Sequence, residues 1–215
     1  MIRLTKSGPV IDGSDEEVGV LREQFERRHW IALPNFLDQA LSQTVRRKLD
    51  GAEFLAVERE IGSELRPADT SLYFAFELLL NSPEALRLVP RLTGCAPALS
   101  FSGRIYRRLP GGAHFNRWHS DVTNGGRMVA LSVNLSERPY EGGGTQLREA
   151  ATGRVLCELA NTGFGDAIMF RIDPSLEHRV MNVTGREPKT ALAGWFRSKY
   201  DPESLFGRGP AKTAP

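Results

Sequence analysis

The stretch Asn116–Ser136, NRWHSDVTNGGRMVALSVNLS, sets His119 and Asp121 two positions apart, then a turn signal, then an apolar run. Residues i and i+2 of an extended strand point to one face, so this spacing aims an imidazole and a carboxylate at one point. The run RMVALSVNLS that follows is short and bounded by turn formers, the grammar of a strand. The other reading of the pair is a histidine capping a turn, with Asp121 as its hydrogen-bond partner.

Working outward, the same grammar holds from about Leu99 to Ser198. LSFSGRIYRRL, RMVALSVNLS, GGTQLREA, GRVLCELA, GDAIMFRI, HRVMNV and KTALAGWFRS are separated by Gly, Pro and Asn. Seven or eight strands at this spacing predict a β-sandwich or barrel, not βαβ units. Residues 1–98 read as a helical lead-in with a few strands. SDEEVGVLREQFERRHW opens on a Ser14/Glu17 capping box, LDQALSQTVRRKLDG runs from an Asp38 cap to Gly51, and NSPEALRLVPRLTGC starts at Ser82 with Pro83 in its first turn. Pro90 is expected to kink or split that last helix. IALP reads as a short strand stopped by Pro34, and EFLAVEREIGSELRP as an extended pair. The tail at 207–215, GRGPAKTAP, reads as disordered. The architecture predicted is one domain over 1–215, mostly β, with helices outside a barrel-like sandwich at 99–198.

Composition sets bounds on function. The 28 basic and 26 acidic residues leave a formal charge of +2, which gives no reason to propose a nucleic-acid or membrane partner. Cys95 and Cys157 stand in unrelated contexts without a CxxC spacing, as in a reducing compartment. No apolar leader opens the chain, and SLYFAFELLL is too short to span a bilayer and holds Glu77. The expected localisation is cytoplasmic.

A metal site needs a third ligand. His178, 57 positions beyond Asp121, opens the strand HRVMNV. Two histidines and one carboxylate on one face of an octahedron is the donor set of non-haem Fe(II) oxygenases, leaving adjacent positions open. Of the other histidines, His29 reads as structural at a helix-to-strand junction. His114 reads as a solvated loop residue, or as part of the pocket mouth if the site is real. In KTALAGWFR, residues Lys189, Ala191, Ala193 and Trp195 share one face. A cation followed by two alanines shapes a narrow slot ending in a positive charge, which suits a dicarboxylate. The alternative is an edge-strand lysine with its head in solvent. Arg186, in the turn TGREP, is the rival cation. Arg107, Arg108 and Arg117 are candidates for recognising a substrate carboxylate or phosphate, against a reading as solvated surface arginines.

From about Ser100 to Arg197 the chain resembles the Fe(II)/2-oxoglutarate-dependent dioxygenases, in particular the prolyl-4-hydroxylase-like branch. The residues carrying the resemblance are Tyr106, PGG at 110–112, His119 and Asp121, LSVNL, GGGTQL, GDAIMF, HRV, Lys189 and Trp195, in that order. The resemblance implies a double-stranded β-helix of jelly-roll type. It implies Fe(II) on His119, Asp121 and His178, with 2-oxoglutarate chelated through its keto-acid end. Its far carboxylate would meet Lys189, with Tyr106, Asn134 and Trp195 lining the co-substrate site. Asn134 stands where relatives often carry a tyrosine, and Lys189, 11 positions past His178, is at the long end of the family range. Dioxygen would then be consumed to hydroxylate an unactivated C–H bond, releasing succinate and carbon dioxide; the intact Asp121 favours hydroxylation over halogenation. His114 and Arg117, in the loop bordering the iron, would meet a small metabolite, an amino acid or a short or carrier-bound peptide. Two other classes predict different behaviour: a non-catalytic β-barrel ligand-binding module, and a Zn(II) hydrolase or isomerase using the same three ligands.

Overall fold

The computed structural model describes residues 1–59, 62–111, 114, 116–122, 126–160 and 163–200. The tail at 207–215 and the turn at 123–125 lie outside the described residues. In chain order the elements are β1 (Ile2–Thr5), β2 (Gly8–Ile11), α1 (Asp15–Arg28), β3 (Trp30–Leu33), α2 (Gln39–Leu49), β4 (Phe54–Arg59) and β5 (Gly62–Pro67). Then come α3 (Ser71–Leu80), α4 (Pro83–Thr93), β6 (Ser100–Arg108), β7 (Arg127–Asn134), β8 (Glu141–Gly142) and β9 (Thr145–Glu149). The last five are β10 (Val155–Leu159), β11 (Ala167–Arg171), β12 (Leu176–Val180), β13 (Val183–Thr184) and β14 (Lys189–Arg197).

The helix ends follow local chemistry. Ser14 and Glu17 satisfy each other's backbone N–H groups at the start of α1. Asp38 accepts from the Leu41 N–H at 2.7 Å, and Ser82 from that of Ala85. His29 ends α1 in the left-handed region, φ 67, its N–H donating to Phe25 O; it joins helix to strand. Pro90 does not split α4, which runs unbroken to Thr93. An interior proline costs about 3 kcal/mol. Burial of Leu88, Val89 and Leu92 on the same helix returns roughly 1.5–3 kcal/mol for each side chain, so the helix continues. No helix among the described residues is long and apolar enough to cross a membrane. Both cysteines are free thiols.

The main sheet has seven strands in the order β3-β11-β7-β14-β6-β5-β4, and faces a three-stranded sheet, β10-β9-β12. Every strand pairing within the two sheets is antiparallel. The period-2 alternation of side chains divides the interior in two. On one face Val129, Leu131 and Val133 of β7, with Leu192 and Phe196 of β14, join Phe25, Val45, Phe76 and Leu92 from the four helices. On the other face Ala130, Ile168 and Phe170 meet Leu147 and Leu159 of the smaller sheet. One strand therefore serves a helix-facing core and an inter-sheet space at once. The observed β segments after Leu99 are the seven longer strands the sequence predicts, plus the two-residue β8 and β13. The β1–β2 hairpin was not predicted; strands of four residues leave too little alternation to read.

The mouth of the inter-sheet space is braced by a buried ion cluster. Glu64 of β5, 3% exposed, accepts from Arg104 of β6 through both oxygens and from Arg66. Burial alone would raise its pKa, but the two guanidinium groups outweigh that and bring it down to about 2 from 4.5. A depressed folded pKa contributes stability that is present above pH 4.5 and lost as pH falls through about 2. The shift corresponds to about 3 kcal/mol. Glu64→Gln is therefore expected to cost about 3–5 kcal/mol at pH 7, because it takes the carboxylate from the largely buried Arg104. Urea unfolding at pH 7 and pH 3 checks this: the wild type should weaken toward pH 3 by more than the variant. Equal pH slopes would remove Glu64 from the account.

Candidate metal and co-substrate site

His119 and Asp121 do not lie on a named strand, as their spacing suggested. Instead His119 forms an isolated antiparallel bridge with His178 of β12. The His119 N–H donates to His178 O at 3.1 Å, and the His178 N–H returns to His119 O at 2.9 Å. Paired residues of an antiparallel bridge present their side chains to one face, and the two imidazole rings lie 4.3 Å apart. Trp118 packs against the guanidinium groups of Arg148 and Arg179, 4.4 and 4.5 Å from its ring.

His119, Asp121 and His178 each offer one ligand atom, and these atoms lie within 4.8 Å of one another. His119 Nδ1 is 2.7 Å from Arg117 O; a proton on Nδ1 leaves the Nε2 lone pair for a ligand role. Burial and the neighbouring His178 push the His119 pKa below 6.5, so it is neutral near pH 7, the form a metal requires. Asp121 is 4% exposed. Burial would raise its pKa, yet His178, Arg127 and His119 together hold it well below the ordinary carboxylate range. Its Oδ2 accepts from Trp195 Nε1 at 2.7 Å and lies 3.3 Å from His178 Nε2. Its Oδ1 pairs with Arg127, whose guanidinium also stacks 3.6 Å over the Trp195 ring. Hydrogen bonds of this kind orient a carboxylate ligand and tune its donor strength. Trp195, read as a co-substrate residue, thus contacts the candidate metal ligand.

The three side chains face a cavity of about 140 Å³ between the sheets. That is smaller than the roughly 300–1,000 Å³ of drug-sized pockets and suits a small organic acid beside a metal. Tyr106, Arg104 and Arg108 of β6, Thr145 of β9, Phe170 of β11, Val180 of β12 and Ala193 of β14 help line it. Lys189 is not an edge-strand residue: β14 lies between β7 and β6, and the lysine is 2% exposed. Its Nζ donates to Gly143 O at 2.5 Å and stands 5.7 Å from the Tyr140 ring. Gly143 has φ +64, and a Cβ there would lie 3.1 Å from Lys189 Cδ and 3.0 Å from Tyr140 Cε2. The glycine makes room for the slot. The Tyr140 hydroxyl is buried beside the Lys189 ammonium, with no acceptor for its O–H among the described residues. An orphaned donor beside a buried ammonium fits an anionic ligand.

The remaining candidates are placed differently. Asn134 does not reach the cavity. Its amide donates to Gly163 O and its carbonyl oxygen accepts from the Ser136 N–H, which ties the end of β7 to neighbouring loops. His114 is not a solvated loop residue: it is 8% exposed, with Nδ1 buried and lacking a partner among the described residues, and it is not among the cavity-lining residues. Arg117 is exposed and acts on the site through its carbonyl. Arg107 donates to Thr190 Oγ1 and covers the Phe54 ring. Arg108, weighed as a solvated arginine, is 3% exposed. Tyr140 was missed altogether. The only signal for it was its place in SERPYEGGG, beside the glycines that border the slot.

Comparison with known proteins agrees with this geometry. Residues 104–197 match the family model of the 2OG-Fe(II) oxygenase superfamily. No curated protein matches the chain. Among solved structures, a Pseudomonas putida prolyl-4-hydroxylase is similar over 85% of this chain and 100% of its own, with TM-score 0.62 and 18% identity. A prolyl hydroxylase from Trichoplax adhaerens, solved with a hypoxia inducible factor peptide fragment, gives TM-score 0.61 at 16% identity over 85% and 90% of the two chains. The epimerase SnoN, solved with Fe3+, alpha ketoglutarate and nogalamycin RO, gives 0.63 at 14% over 94% and 93%. At these identities the likeness is one of fold, the double-stranded β-helix with its helical flank. The family match covers less than half of the chain: residues 104–197, which hold the three converging side chains, are similar to the 2OG-Fe(II) oxygenase superfamily.

Proposed function

We propose that the protein hydroxylates an unactivated C–H bond of a small metabolite, an amino acid or a short or carrier-bound peptide, turning 2-oxoglutarate and dioxygen into succinate and carbon dioxide. The observation that carries this reading is the convergence of His119, Asp121 and His178 on one point of a small cavity, with a buried ammonium and an orphaned tyrosine hydroxyl at Lys189 and Tyr140. In this reading the triad holds Fe(II), Lys189 takes the far carboxylate of 2-oxoglutarate, and Tyr106 lines the slot. The cofactors, when bound, supply oxidation of a C–H bond by dioxygen; the protein supplies position and dryness. The Arg117 carbonyl fixes the His119 ring, and Trp195 and Arg127 fix the Asp121 carboxylate. Phe170, with its ring 5.0 Å from that of His178, keeps water from that side of the site. A small cavity favours small groups, and the structural relatives include proteins solved with a peptide and with a small molecule.

Anaerobic titration of the Fe(II)-loaded protein with 2-oxoglutarate tests the reading. A weak visible charge-transfer band is expected as the keto acid chelates the metal. If iron binds and no band forms, the co-substrate slot is wrong. If no metal binds, a ligand-binding module takes its place.

A further inference from the structure

Arg104, Arg108 and Arg127 line the cavity, Lys189 stands on the same face of the sheet opposite Arg108, and the four cations are not alike. Arg104 has Glu64 and Arg127 has Asp121. Arg108 and Lys189 have no carboxylate partner among the described residues, although they are 3% and 2% exposed. The Arg108 Nε is buried without an acceptor among those residues. Its NH1 reaches Val180 O only at 3.4 Å, and its guanidinium lies 5.5 Å from the Tyr106 ring. Burial pushes the Arg108 pKa down by more than Tyr106 and Glu64 draw it back up.

The two uncompensated cations are cross-strand partners: the β14–β6 register sets Lys189 opposite Arg108, so both side chains leave the same face. Their heads also meet one corner of the chain. Lys189 bonds Gly143 O and Arg108 leans on Val180 O. Val180 pairs with Thr145, and the Met181 N–H donates to Gly144 O at 2.8 Å. The Tyr140 hydroxyl, like the Arg108 Nε, is a buried donor there without an acceptor among the described residues.

We propose that Arg108 is a second anchor for the far carboxylate of the co-substrate, which Lys189 and Arg108 hold between them. The inference rests on the 2-oxoglutarate reading above and adds a residue to it. A carboxylate offers two oxygens and about four acceptor sites. A guanidinium edge takes two in parallel, while the lysine keeps its bond to Gly143 and turns a second N–H to the ligand. Two buried cations without an anion are costly, and the ligand removes that cost. The chain should therefore reward a far carboxylate strongly over a keto acid that lacks one.

The test is anaerobic titration of Fe(II)-loaded wild type, Arg108→Gln and Lys189→Gln, each with 2-oxoglutarate and with 2-oxobutyrate. The second compound has the same keto-acid end and no far carboxylate. Arg108→Gln is expected to weaken 2-oxoglutarate about 30-fold or more and 2-oxobutyrate by less than about twofold, with losses in the double variant that do not add. Without ligand its melting temperature should equal or exceed the wild-type value, because an uncompensated buried charge has gone; a structural arginine would lower it. Should Arg108→Gln fold poorly, Arg108→Lys keeps the charge, loses the fork, and is expected to show a smaller loss of the same selectivity. Wild-type 2-oxoglutarate affinity in Arg108→Gln, or an equal loss for both keto acids, overturns the proposal while leaving the wild-type band and the oxygenase reading intact. Absence of the band in the wild type overturns both.

Discussion

An Asp121→Ala variant is expected to lose Fe(II) binding by more than about 100-fold, since removing even an outer-sphere partner of a metal ligand costs about 10- to 100-fold. Asp121 provides the only carboxylate among the three converging ligands, so its loss takes both a donor and the negative charge that offsets a dication. The variant should still fold. Truncation leaves Arg127 and the Trp195 N–H without this acceptor, a cost of about 1–3 kcal/mol against cores that Asp121 does not touch. Asp121→Asn refines the test, because its amide oxygen can still accept from Trp195 while the charge is gone. Iron affinity, measured by anaerobic titration alongside thermal melts, separates a ligand from a brace. Wild-type iron binding in Asp121→Ala would sink the assignment of the metal centre. A collapsed fold in Asp121→Asn would support the turn-capping reading.

Lys189→Ala carries the second large effect. Removing one partner of a buried charge contact costs about 2–5 kcal/mol, about 30-fold to several thousand-fold in affinity for 2-oxoglutarate. Iron affinity should move little, because Lys189 lies at the far corner with Gly143 and Tyr140 and not among the triad. The larger loss should fall on the co-substrate titration; the melting temperature should register only the lost Gly143 hydrogen bond, about 1–3 kcal/mol, since the lysine has no carboxylate partner among the described residues to abandon. An equal weakening of iron and 2-oxoglutarate would place the lysine's role at the metal end and undo the slot.

Local signals in the chain carried much of this structure. Ser14 with Glu17, Asp38, and Ser82 before Pro83 mark helix starts because an N-cap is made within four residues. Alternation in RMVALSVNLS and KTALAGWFR marks strands because the pleat has period 2, and the same alternation placed Ala191, Ala193 and Trp195 on one face with Lys189. The order of motifs from Tyr106 to Trp195 was legible for a similar reason, as each is a short run with its own composition. What stayed hidden depends on partners distant in sequence. Pro90 reads as a breaker, but the burial of its helix outweighs the lost hydrogen bond. Asn134 reads as a co-substrate contact because of its position, yet Gly163 and Ser136 occupy its amide. Arg108 reads like Arg107, one residue away; only the pairing of β6 with β14 buries one beside Lys189 and leaves the other over Phe54. The chain by itself determined which side chains share a face. Tertiary structure alone decided which of them have lost water and which still lack a partner, because desolvation and pairing are set by strands and loops that meet only when the sheets close.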